Sequence, residues 1–383
     1  MPPLRVFAAA AFFSISTIPP TEAAQTDAPA AAKTKITVTE VATGLENAWA
    51  LQFLPDGRML VTERPGRMRI VTKDGKISDP IAGLPNVVHG GQAGLLDVLL
   101  APDFAKSGVV YFSYTEPRGQ FNNGTSIVRA KLTLTDGSGA ISDGEVIFRQ
   151  EPALPGFAHF GSRLVLAKDG TLFITTGERF DHRDLAQDLS THLGKVIRTN
   201  TDGSVPKDNP FVGQDDKRPE IWSYGHRNMQ GAALNPATGE LWTTEHGAQG
   251  GDELNIPRAG KNYGWPIISW GKDYGGGKIG TGKSKKKGME QPVYYWVPSI
   301  ATSGLAFYTG NLFPTWKGNA LVGGLAGAVL ERLVLKGEKV VKVERLLEDR
   351  GERIRDVRVG PDGAVYVLID AIDGKILRIS PAN

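Results

Sequence analysis

Six loops of the chain place imidazole, guanidinium and carboxylate groups beside glycine at the ends of short β-type runs. An imidazole can exchange a proton near neutral pH, a guanidinium pairs with anions, and a carboxylate can orient a histidine or bind a hard metal ion. Taken singly, each residue is explained equally well by ordinary structural hydrogen bonds. Taken together, they predict a funnel of cations with a few carboxylates, which suits a small polyanionic ligand and a hard cation. The residues concerned are His89, Gln92, His159, Glu178, Asp181, His182, His226, Arg227, Asn228, Gln230, Glu245, His246, Asp252, Glu253, Tyr263, Arg353, Arg355 and Asp356.

Composition and missing motifs argue against several other chemistries. The 383 residues contain no cysteine, which excludes disulfide frameworks, cysteine-ligated zinc, iron–sulfur clusters and thiol nucleophiles. No dinucleotide-binding glycine fingerprint follows a strand in a βαβ setting, and the chain has no Walker loop, GxSxG elbow or HExxH pair. Since 44 basic residues face 41 acidic ones, the net charge is only +3, and we predict no nucleic-acid partner. The basic run from Lys283 to Lys287 is interpreted as a solvated loop.

The elements that must position these loops recur along the chain. Each copy is a turn rich in Pro, Asp and Gly followed by a short run of β-branched and aromatic residues, and a second such run follows most copies. Few windows show the apolar period of a helix. Six copies of a repeat of four short strands and long loops predict an all-β, six-bladed β-propeller rather than a β-sandwich, which requires no repeat. The copies begin at Leu54, Ala101, Ala167, Asn235, Gly318 and Gly360.

A propeller would bring the scattered groups together. Loops from every blade converge on one face of the central channel, so we expect the chemistry to be distributed along the sequence, one cluster per blade. The strand-like run Ile36–Ala42 precedes the first copy, and we predict that it closes the ring against the last blade.

The first residues predict an export signal. Arg5 is followed by an apolar run, then by Pro19 and Pro20, and then by small residues at Ala23 and Ala24. The apolar run is too short to span a bilayer, and no later stretch is long and apolar enough to do so. The mature protein is therefore expected to be soluble and periplasmic, without a membrane span. The predicted organisation is a signal peptide over 1–24, a flexible lead-in over 25–35 and a catalytic propeller over 36–383.

At these loops the sequence resembles the PQQ-dependent aldose sugar dehydrogenases, relatives of soluble quinoprotein glucose dehydrogenase. The resemblance covers roughly residues 36–383 and is carried by the motifs GHRNMQG, EHGAQGGDELN, GKNYGWP and RIRDVRVGPDG. It implies a six-bladed propeller, in agreement with the repeat count. It also implies that the protein binds pyrroloquinoline quinone (PQQ) and calcium and oxidises the C1 hydroxyl of aldoses to lactones.

The resemblance implies three catalytic residues. His159 would be the general base that takes the C1 hydroxyl proton, since an imidazole has its pKa near working pH. Glu178 occupies the position of a carboxylate that orients this histidine, where the soluble glucose dehydrogenases have the shorter Asp. Arg227 would stabilise negative charge that develops at the quinone carbonyl region.

The resemblance also implies how the cofactor is held. Gln92 and Asn228 would hydrogen-bond the cofactor or the substrate, and Tyr274 would flank the cofactor. Arg353 and Arg355 would pair with the carboxylates of PQQ, for which guanidinium forks are well shaped. Several family members carry a lysine in the fifth-blade loop, but this chain has Leu325, Ala326 and Gly327 there. Either backbone groups substitute for that lysine, or cofactor affinity is lower.

For the metal, the resemblance implies backbone and side-chain oxygen ligands. The carbonyls of Gly247 and Ala248 would hold the catalytic calcium, because calcium prefers hard oxygen ligands. Glu253 and Tyr263 match a second, structural calcium site, although plain turn packing explains that pair as well.

Two other functions remain open on the sequence alone. A calcium-dependent propeller lactonase or esterase would need carboxylate and Asn ligands around the channel, and a non-catalytic binding module would make His159 and Arg227 structural. The natural sugar and the electron acceptor cannot be identified from the sequence, and a monomer is the default oligomeric state. The insertion from Asp273 to Gln291 is expected to shape the channel mouth.

Overall fold

The computed structural model describes residues 28–135 and 137–382, so the signal peptide predicted over 1–24 lies outside the described residues. The described part is built almost entirely of strands and turns, with one short α-helix, α1, at Phe104–Ser107. Short 3-10 turns occur at Arg183–Gln187, Pro314–Trp316 and Glu348–Arg350. Within the described residues, no helix combines the length and the apolar character that a membrane crossing requires.

The described strands form six antiparallel sheets, which confirms the predicted six-bladed β-propeller. The first three blades are β2 (Ala48–Phe53), β3 (Met59–Glu63), β4 (Arg67–Val71); β5 (Leu95–Leu100), β6 (Val109–Arg118), β7 (Asn122–Leu134), β8 (Gly139–Arg149); and β9 (Gly161–Leu166), β10 (Thr171–Thr176), β11 (Lys195–Asn200), β12 (Ile221–Tyr224). The fourth and fifth are β13 (Met229–Leu234), β14 (Leu241–Glu245), β15 (Asp252–Asn255), β16 (Tyr294–Trp296); and β17 (Thr302–Phe307), β18 (Ala320–Gly324), β19 (Val329–Lys336), β20 (Lys339–Leu346). The sixth is β21 (Ile354–Val359), β22 (Val365–Ile369), β23 (Gly374–Pro381), β1 (Ile36–Leu45).

The ring closes as the sequence predicts. Strand β1 pairs antiparallel with β23, so the start of the propeller completes the last blade. The innermost strands β2, β5, β9, β13, β17 and β21 contact one another in that cyclic order, and β21 contacts β2. The first blade differs from the predicted four-stranded unit, because its sheet has three strands. After β4 the chain makes an isolated bridge between Val71 and Ile77 and then leads to β5.

The turns and the core follow from the repeated pattern. Gly170 has φ of 85° in the Asp-Gly turn that joins β9 to β10, a conformation that favours glycine. Apolar side chains of adjacent sheets pack between the blades, and one such cluster joins Trp49, Phe112 and Phe160 from the first three blades. The packing of neighbouring sheets thereby fixes where each loop emerges.

The second half of the predicted lead-in lies on the propeller. Residues 29–34 run along β20, where the Ala31 amide donates to the Val343 carbonyl over 2.7 Å and the Val343 amide donates to the Pro29 carbonyl over 3.0 Å. The indole Nε1 of Trp316 also donates to Thr34 Oγ1 at 3.1 Å. The outermost strand β20 offers unpaired backbone groups, which explains why this segment is ordered although its Ala- and Pro-rich composition suggests a flexible one.

Four charged residues of the inner strands form the channel floor: Asp97, Arg163, Asp356 and Arg358. Arg163 is buried and lies 3.1 Å from Asp97 and 3.0 Å from Asp356. Arg358 pairs with the same two carboxylates at 3.4 and 2.9 Å. The Arg163 guanidinium also stacks over the Trp49 ring at 4.1 Å. The channel is therefore crossed by a neutral set of paired charges beneath the mouth.

Candidate active site

The predicted site residues meet at one face because the chain reverses there in every blade. Inner strands begin at this face and the second strands end at it, as the antiparallel pairing of β9 with β10 and of β13 with β14 requires. Residues just before an inner strand and just after a second strand are therefore neighbours. They include His159, Glu178, Arg227, Asn228, His246, Arg353 and Asp370.

His159 and Glu178 form a buried pair at the start of the third blade. The His159 Nδ1 lies 2.6 Å from Glu178 Oε2, and both side chains are almost fully buried. The same carboxylate oxygen accepts a hydrogen bond from the Phe180 amide at 2.6 Å. Burial lowers the pKa of His159, Glu178 opposes that shift, and the positive charges of Arg227 and Arg179 reinforce it. The imidazole is thus held neutral near pH 7 with its Nδ1 engaged by Glu178.

The backbone around this pair is strained. His159, Arg179 and Phe180 have positive φ values of 51°, 65° and 60°. Left-handed conformations are uncommon for residues with a side chain and concentrate at functional sites. Phe180 is 42% exposed, and its ring meets the His159 ring edge-on with centroids 5.1 Å apart. An apolar ring is therefore presented to solvent directly beside the candidate base.

Arg179 stabilises this strained turn through ring stacking and hydrogen bonds. Its guanidinium stacks over the Phe160 ring at 4.2 Å. Burial lowers the pKa of Arg179 to about 10, with the Glu178 charge opposing the shift. The guanidinium donates hydrogen bonds to the carbonyls of Ala158, Asn123, Leu154, Pro155 and Gly156 and to Asn123 Oδ1. The segment that leads to His159 is consequently tied to the turn that carries Phe180.

Gln92 joins three blades through one oxygen. Its Oε1 accepts hydrogen bonds from the His159 amide at 3.0 Å and from Asn228 Nδ2 at 3.2 Å, and Gln230 Nε2 lies 3.4 Å away. Asn228 is fully buried and its Oδ1 accepts from the Gly161 amide at 3.1 Å. Both polar ends of Asn228 are thus used within the protein, and the two residues hold the His159 backbone in place.

Arg227 is the predicted cation that remains least compensated. Its Nη2 donates to the Tyr274 hydroxyl at 3.1 Å and its Nη1 donates to the His246 carbonyl at 3.2 Å. Its guanidinium lies 5.1 Å from the centroid of the Trp265 ring. Among the described residues it has no ion-pair partner, and its buried Nε has no hydrogen-bond acceptor. Tyr274 is 53% exposed, whereas Arg227 is buried beneath it.

Arg355 and Arg353 differ in their surroundings. Arg355 is buried and already has a carboxylate, since its Nη2 lies 2.6 Å from Asp370 Oδ2. Its Nη1 donates to Gln230 Oε1 at 2.6 Å, while its Nε is buried without an acceptor. The Arg353 side chain is 51% exposed, and its Nη1 lies 3.4 Å from the Leu325 carbonyl. Arg353 therefore brings a cation to the fifth-blade loop that has no lysine.

Three of the predicted metal ligands, Gly247, Glu253 and Tyr263, line a small cavity. Its volume is about 10 Å³, which is room for roughly one water molecule. Glu253 shares this cavity with Glu245, and burial together with that neighbouring carboxylate raises the pKa of Glu253 to about 8. Among the described residues no group of three or more His, Asp or Glu side chains converges as a metal site. The lining also includes Arg227, His246 and Trp265.

The individual metal candidates are held by the protein itself. The Gly247 amide donates to Asp252 Oδ1 at 2.7 Å, and Ala248 forms a backbone bridge with Gly250. The Tyr263 hydroxyl donates to the Ile256 carbonyl and accepts from the Arg258 amide, so its side chain is engaged away from a metal. Backbone oxygens and the Glu253 carboxylate are the ligands that this region can offer.

Other residues singled out in the sequence lie elsewhere. His89 and Asp181 are exposed, and Asp356 belongs to the channel floor. His226 is fully buried, with Nδ1 3.0 Å from Glu245 and Nε2 2.9 Å from the Ser223 hydroxyl. His226 and Asp356 are therefore held by interactions within the protein.

Four residues at the mouth were not singled out from the sequence: Arg64, Arg179, Phe180 and Asp370. The Arg64 Nη2 lies 3.4 Å from Asp370 Oδ1, across the junction of the first and last blades. The sequence does contain a pattern that could have indicated them, because a charged or polar residue recurs at the end of the second strand of several blades. It appears at Glu63–Arg64, Glu178–Arg179, Glu245–His246 and Asp370.

Comparison with known proteins is consistent with this geometry. The family model described as Glucose / Sorbosone dehydrogenase matches residues 45–378. The chain is 46% identical over 341 residues to the aldose sugar dehydrogenase YliI of Escherichia coli (strain K12), covering 88% of this chain and 91% of the relative.

Solved structures agree in fold. The crystal structure of a glucose dehydrogenase is 49% identical, with a TM-score of 0.87, and the match covers 91% of this chain and 100% of that one. The PQQ-bound form of an aldose sugar dehydrogenase from Streptomyces coelicolor is 29% identical, with a TM-score of 0.75 and coverage of 91% and 100%. The predicted family resemblance and fold are both confirmed.

Proposed function

Since the chain belongs to the Glucose / Sorbosone dehydrogenase family and is a quinoprotein sugar oxidoreductase, we propose that it oxidises the C1 hydroxyl of aldoses to lactones in the periplasm, with PQQ and calcium. His159 is the general base of this reaction, Glu178 orients it, and Arg227 stabilises the negative charge that develops. The periplasmic location is supported by the export pattern of residues 1–24 in the sequence.

The observation that carries the mechanism is the 2.6 Å contact between His159 Nδ1 and Glu178. A carboxylate at Nδ1 accepts a hydrogen bond from the N–H of that nitrogen, which leaves the lone pair on Nε2 free to take a hydroxyl proton. When Nε2 gains the proton, the adjacent carboxylate stabilises the imidazolium. Because burial lowers the pKa of His159, the base is unprotonated at neutral pH before the sugar arrives.

Two buried guanidinium groups fit a polyanionic quinone. The Nε atoms of Arg227 and Arg355 are buried and have no hydrogen-bond acceptor in the protein. Buried donors without an acceptor are rare in folded proteins. Arg227, Arg353 and Arg355 would hold PQQ, Tyr274 and Trp265 would flank it, and Gln92 and Asn228 would keep the His159 backbone beside it. When bound, PQQ supplies the two-electron acceptor that the protein side chains lack.

The small cavity beside Arg227 fits a cation. Two adjacent carboxylates, Glu245 and Glu253, share a cavity that holds roughly one water, and a divalent ion would relieve their repulsion. The carbonyls of Gly247 and Ala248 and the Glu253 carboxylate would be its oxygen ligands, and Tyr263 would contribute through its backbone. When bound, calcium supplies a Lewis acid.

Reconstitution tests this function. The mature chain is stripped with a chelator, and PQQ and calcium are added separately and together while reduction of an artificial dye by glucose and other aldoses is followed. We expect activity only when both are present. Absence of activity together with absence of PQQ binding would refute the proposal and direct attention to lactone hydrolysis.

A variant separates the base from the binding site. In His159→Ala, PQQ binding is expected to remain while dye reduction falls by about 10²–10⁴-fold, the usual contribution of a general base. Undiminished activity would show that His159 is not the base.

A further inference from the structure

One buried cation of the described structure has no place in the mechanism above. Lys195 begins β11 and its side chain is fully buried. Its Nζ donates hydrogen bonds to the carbonyls of Leu185 at 3.0 Å, Ala186 at 3.1 Å and Leu193 at 2.5 Å. Within residues 28–135 and 137–382 it forms no ion pair with an acidic side chain. An unpaired buried charge is costly, so this one calls for a physical explanation.

The three carbonyls form a cradle for an ammonium ion. A protonated amine has three donors and no acceptor, and here each donor has one carbonyl oxygen. A neutral amine would turn its lone pair toward one of these oxygens. Burial lowers the pKa of Lys195 to about 7, and the nearby Asp188 opposes this shift. Other buried cations, such as Arg163 and Arg332, instead lie against carboxylates at 3.1 and 2.7 Å.

The cradle belongs to the turn that supports the Arg227 loop. Leu185 and Ala186 lie in the 3-10 turn Arg183–Gln187. The Ala186 carbonyl, besides accepting from Lys195, accepts from the Gly225 amide at 3.0 Å, two residues before Arg227. On the other side of Lys195, the Gly194 carbonyl accepts from the His226 amide at 3.1 Å. The lysine therefore lies at the base of the segment that presents the Arg227 guanidinium.

The same turn positions the indole beside Arg227. Gln187 Nε2 donates to the Trp265 carbonyl at 2.7 Å, and Gln187 and Asn262 exchange amide hydrogen bonds at 2.8 and 3.1 Å. The Trp265 amide in turn donates to the Gly225 carbonyl at 2.8 Å. Trp265 is the ring over which the Arg227 guanidinium lies.

The other end of the turn reaches the second aromatic ring. Arg183 Nη1 pairs with Asp273 Oδ2 at 2.8 Å, and the next residue is Tyr274. The Tyr274 hydroxyl accepts from Arg227 at 3.1 Å. Both rings beside the guanidinium are thus connected to the turn that Lys195 holds.

We propose that the carbonyls of Leu185, Ala186 and Leu193 form a monovalent-cation site that the chain fills with its own Lys195 ammonium. Filling this site makes Lys195 a positioning residue for Arg227, acting through Gly225, Trp265 and Tyr274. The part of the proposal that concerns PQQ rests on the proposed function, whereas the cation site itself does not.

Truncation with chemical rescue tests the site. In Lys195→Ala the lost atoms have the shape of propylammonium, which is added during purification and titration, with n-propanol as the neutral control. Three quantities are measured on the full mature chain: the unfolding temperature, the affinity for PQQ, and amide hydrogen exchange of residues 222–227 and 262–268. We expect PQQ affinity about ten-fold weaker or more, as for loss of hydrogen bonds to a charged group, and faster exchange at Gly225 and Trp265.

The controls decide between a cation site and simple space filling. Propylammonium is expected to restore all three quantities in Lys195→Ala, n-propanol is not, and the wild type should respond to neither. Lys195→Met fills the same volume without a charge, so it should be impaired and insensitive to the amine. Equal behaviour of Lys195→Met and wild type, or failure of the amine to rescue Lys195→Ala, would overturn the cation site.

A second variant keeps the test decisive if Lys195→Ala does not fold. Gln187→Leu leaves the ammonium cradle intact and removes the hydrogen bonds that the Gln187 side chain makes with Trp265 and Asn262. It should weaken PQQ binding and speed exchange at residues 262–268 while the unfolding temperature stays close to that of wild type. Unchanged exchange and affinity would overturn the positioning role. If the wild-type chain bound no PQQ, the proposed function would fail, and the unfolding and exchange measurements would still decide the role of Lys195.

Discussion

The channel floor and the channel mouth both contain buried arginines, but only the floor pairs every one of its arginines with a carboxylate. In the floor, Arg163 and Arg358 each face Asp97 and Asp356 at 2.9–3.4 Å. In the mouth, Arg227 has no carboxylate partner among the described residues, and its Nε is unpaired. The Asp97 and Asp356 side chains also accept backbone amides of Leu164 and Leu51, which completes the floor.

This difference separates architecture from function within one channel. A satisfied set of buried charges stabilises a unique arrangement, and removing one member leaves the rest desolvated without partners. A guanidinium with unused donors is costly in the empty protein and becomes favourable when an anion arrives. We therefore expect substitutions in the floor to change stability and substitutions in the mouth to change activity.

The largest expected effect is the loss of stability when a floor arginine is replaced. Arg163→Met leaves Asp97 and Asp356 buried with one remaining cation, so the free energy of unfolding should fall by about 3–5 kcal/mol. Urea unfolding measures this loss. The matched control is Arg58→Met, whose partly exposed pair with Asp56 should contribute about 1 kcal/mol or less. A loss in Arg163→Met as small as in the control would contradict the structural role of the floor.

The next largest expected effect is the loss of activity when the mouth arginine Arg227 is replaced. Arg227→Met should reduce dye reduction by about 10²–10³-fold, the typical cost of removing one donor aimed at developing charge. Its unfolding temperature should stay near that of wild type, because no carboxylate loses a partner. Arg227→Lys should fall in between, since it keeps the charge without the fork. If Arg227→Met lost much stability but kept its activity, Arg227 would have a structural role and the contrast between floor and mouth would be wrong.

The pH profile sharpens the role of the His159–Glu178 pair. A base works only when unprotonated, so kcat/KM should fall as the pH drops through the His159 pKa, which burial holds below its usual value. Glu178 raises this pKa, and Glu178→Gln removes that charge, so the acid limb should move to lower pH. The plateau should fall by about ten-fold or more, because a neutral amide stabilises the imidazolium less well. An acid limb that stays in place would show that Glu178 does not act on His159.

The smallest effect concerns the exposed edge of the mouth. Arg353 is half exposed and therefore screened by solvent, so Arg353→Ala should weaken PQQ binding by about five-fold or less. The effect should shrink further in high salt, as PQQ titration at two ionic strengths would show. If Arg353→Ala lost as much PQQ affinity as Arg227→Met does in the same titration, the cation at the fifth-blade loop would be central to cofactor binding.

Many residues of the candidate site could be predicted from the local sequence. The others could not, because their contacts form between residues that are far apart in the chain. Arg227 was predicted because it lies in a polar loop that begins an inner strand, and the structure places it in the mouth. Arg64 and Asp370 were missed because they lie 306 residues apart and meet only when the ring closes. Asn228 is predicted to contact cofactor or substrate, and the structure adds that its amide also contacts Gln92, which comes from another blade and could not be paired with it from sequence.

The sequence by itself determined the blade count, the family and several of the residues that reach the mouth, because turns and strands are encoded over a few neighbouring residues. Only the tertiary structure decided which cations would find partners. Asp97 and Asp356 neutralise Arg163 at the floor, and Asp370 pairs with Arg355, whereas Arg227 has no carboxylate partner among the described residues. The physical reason is that the pairing of buried charges depends on Coulomb distances across blades, and those distances exist only after the ring has closed.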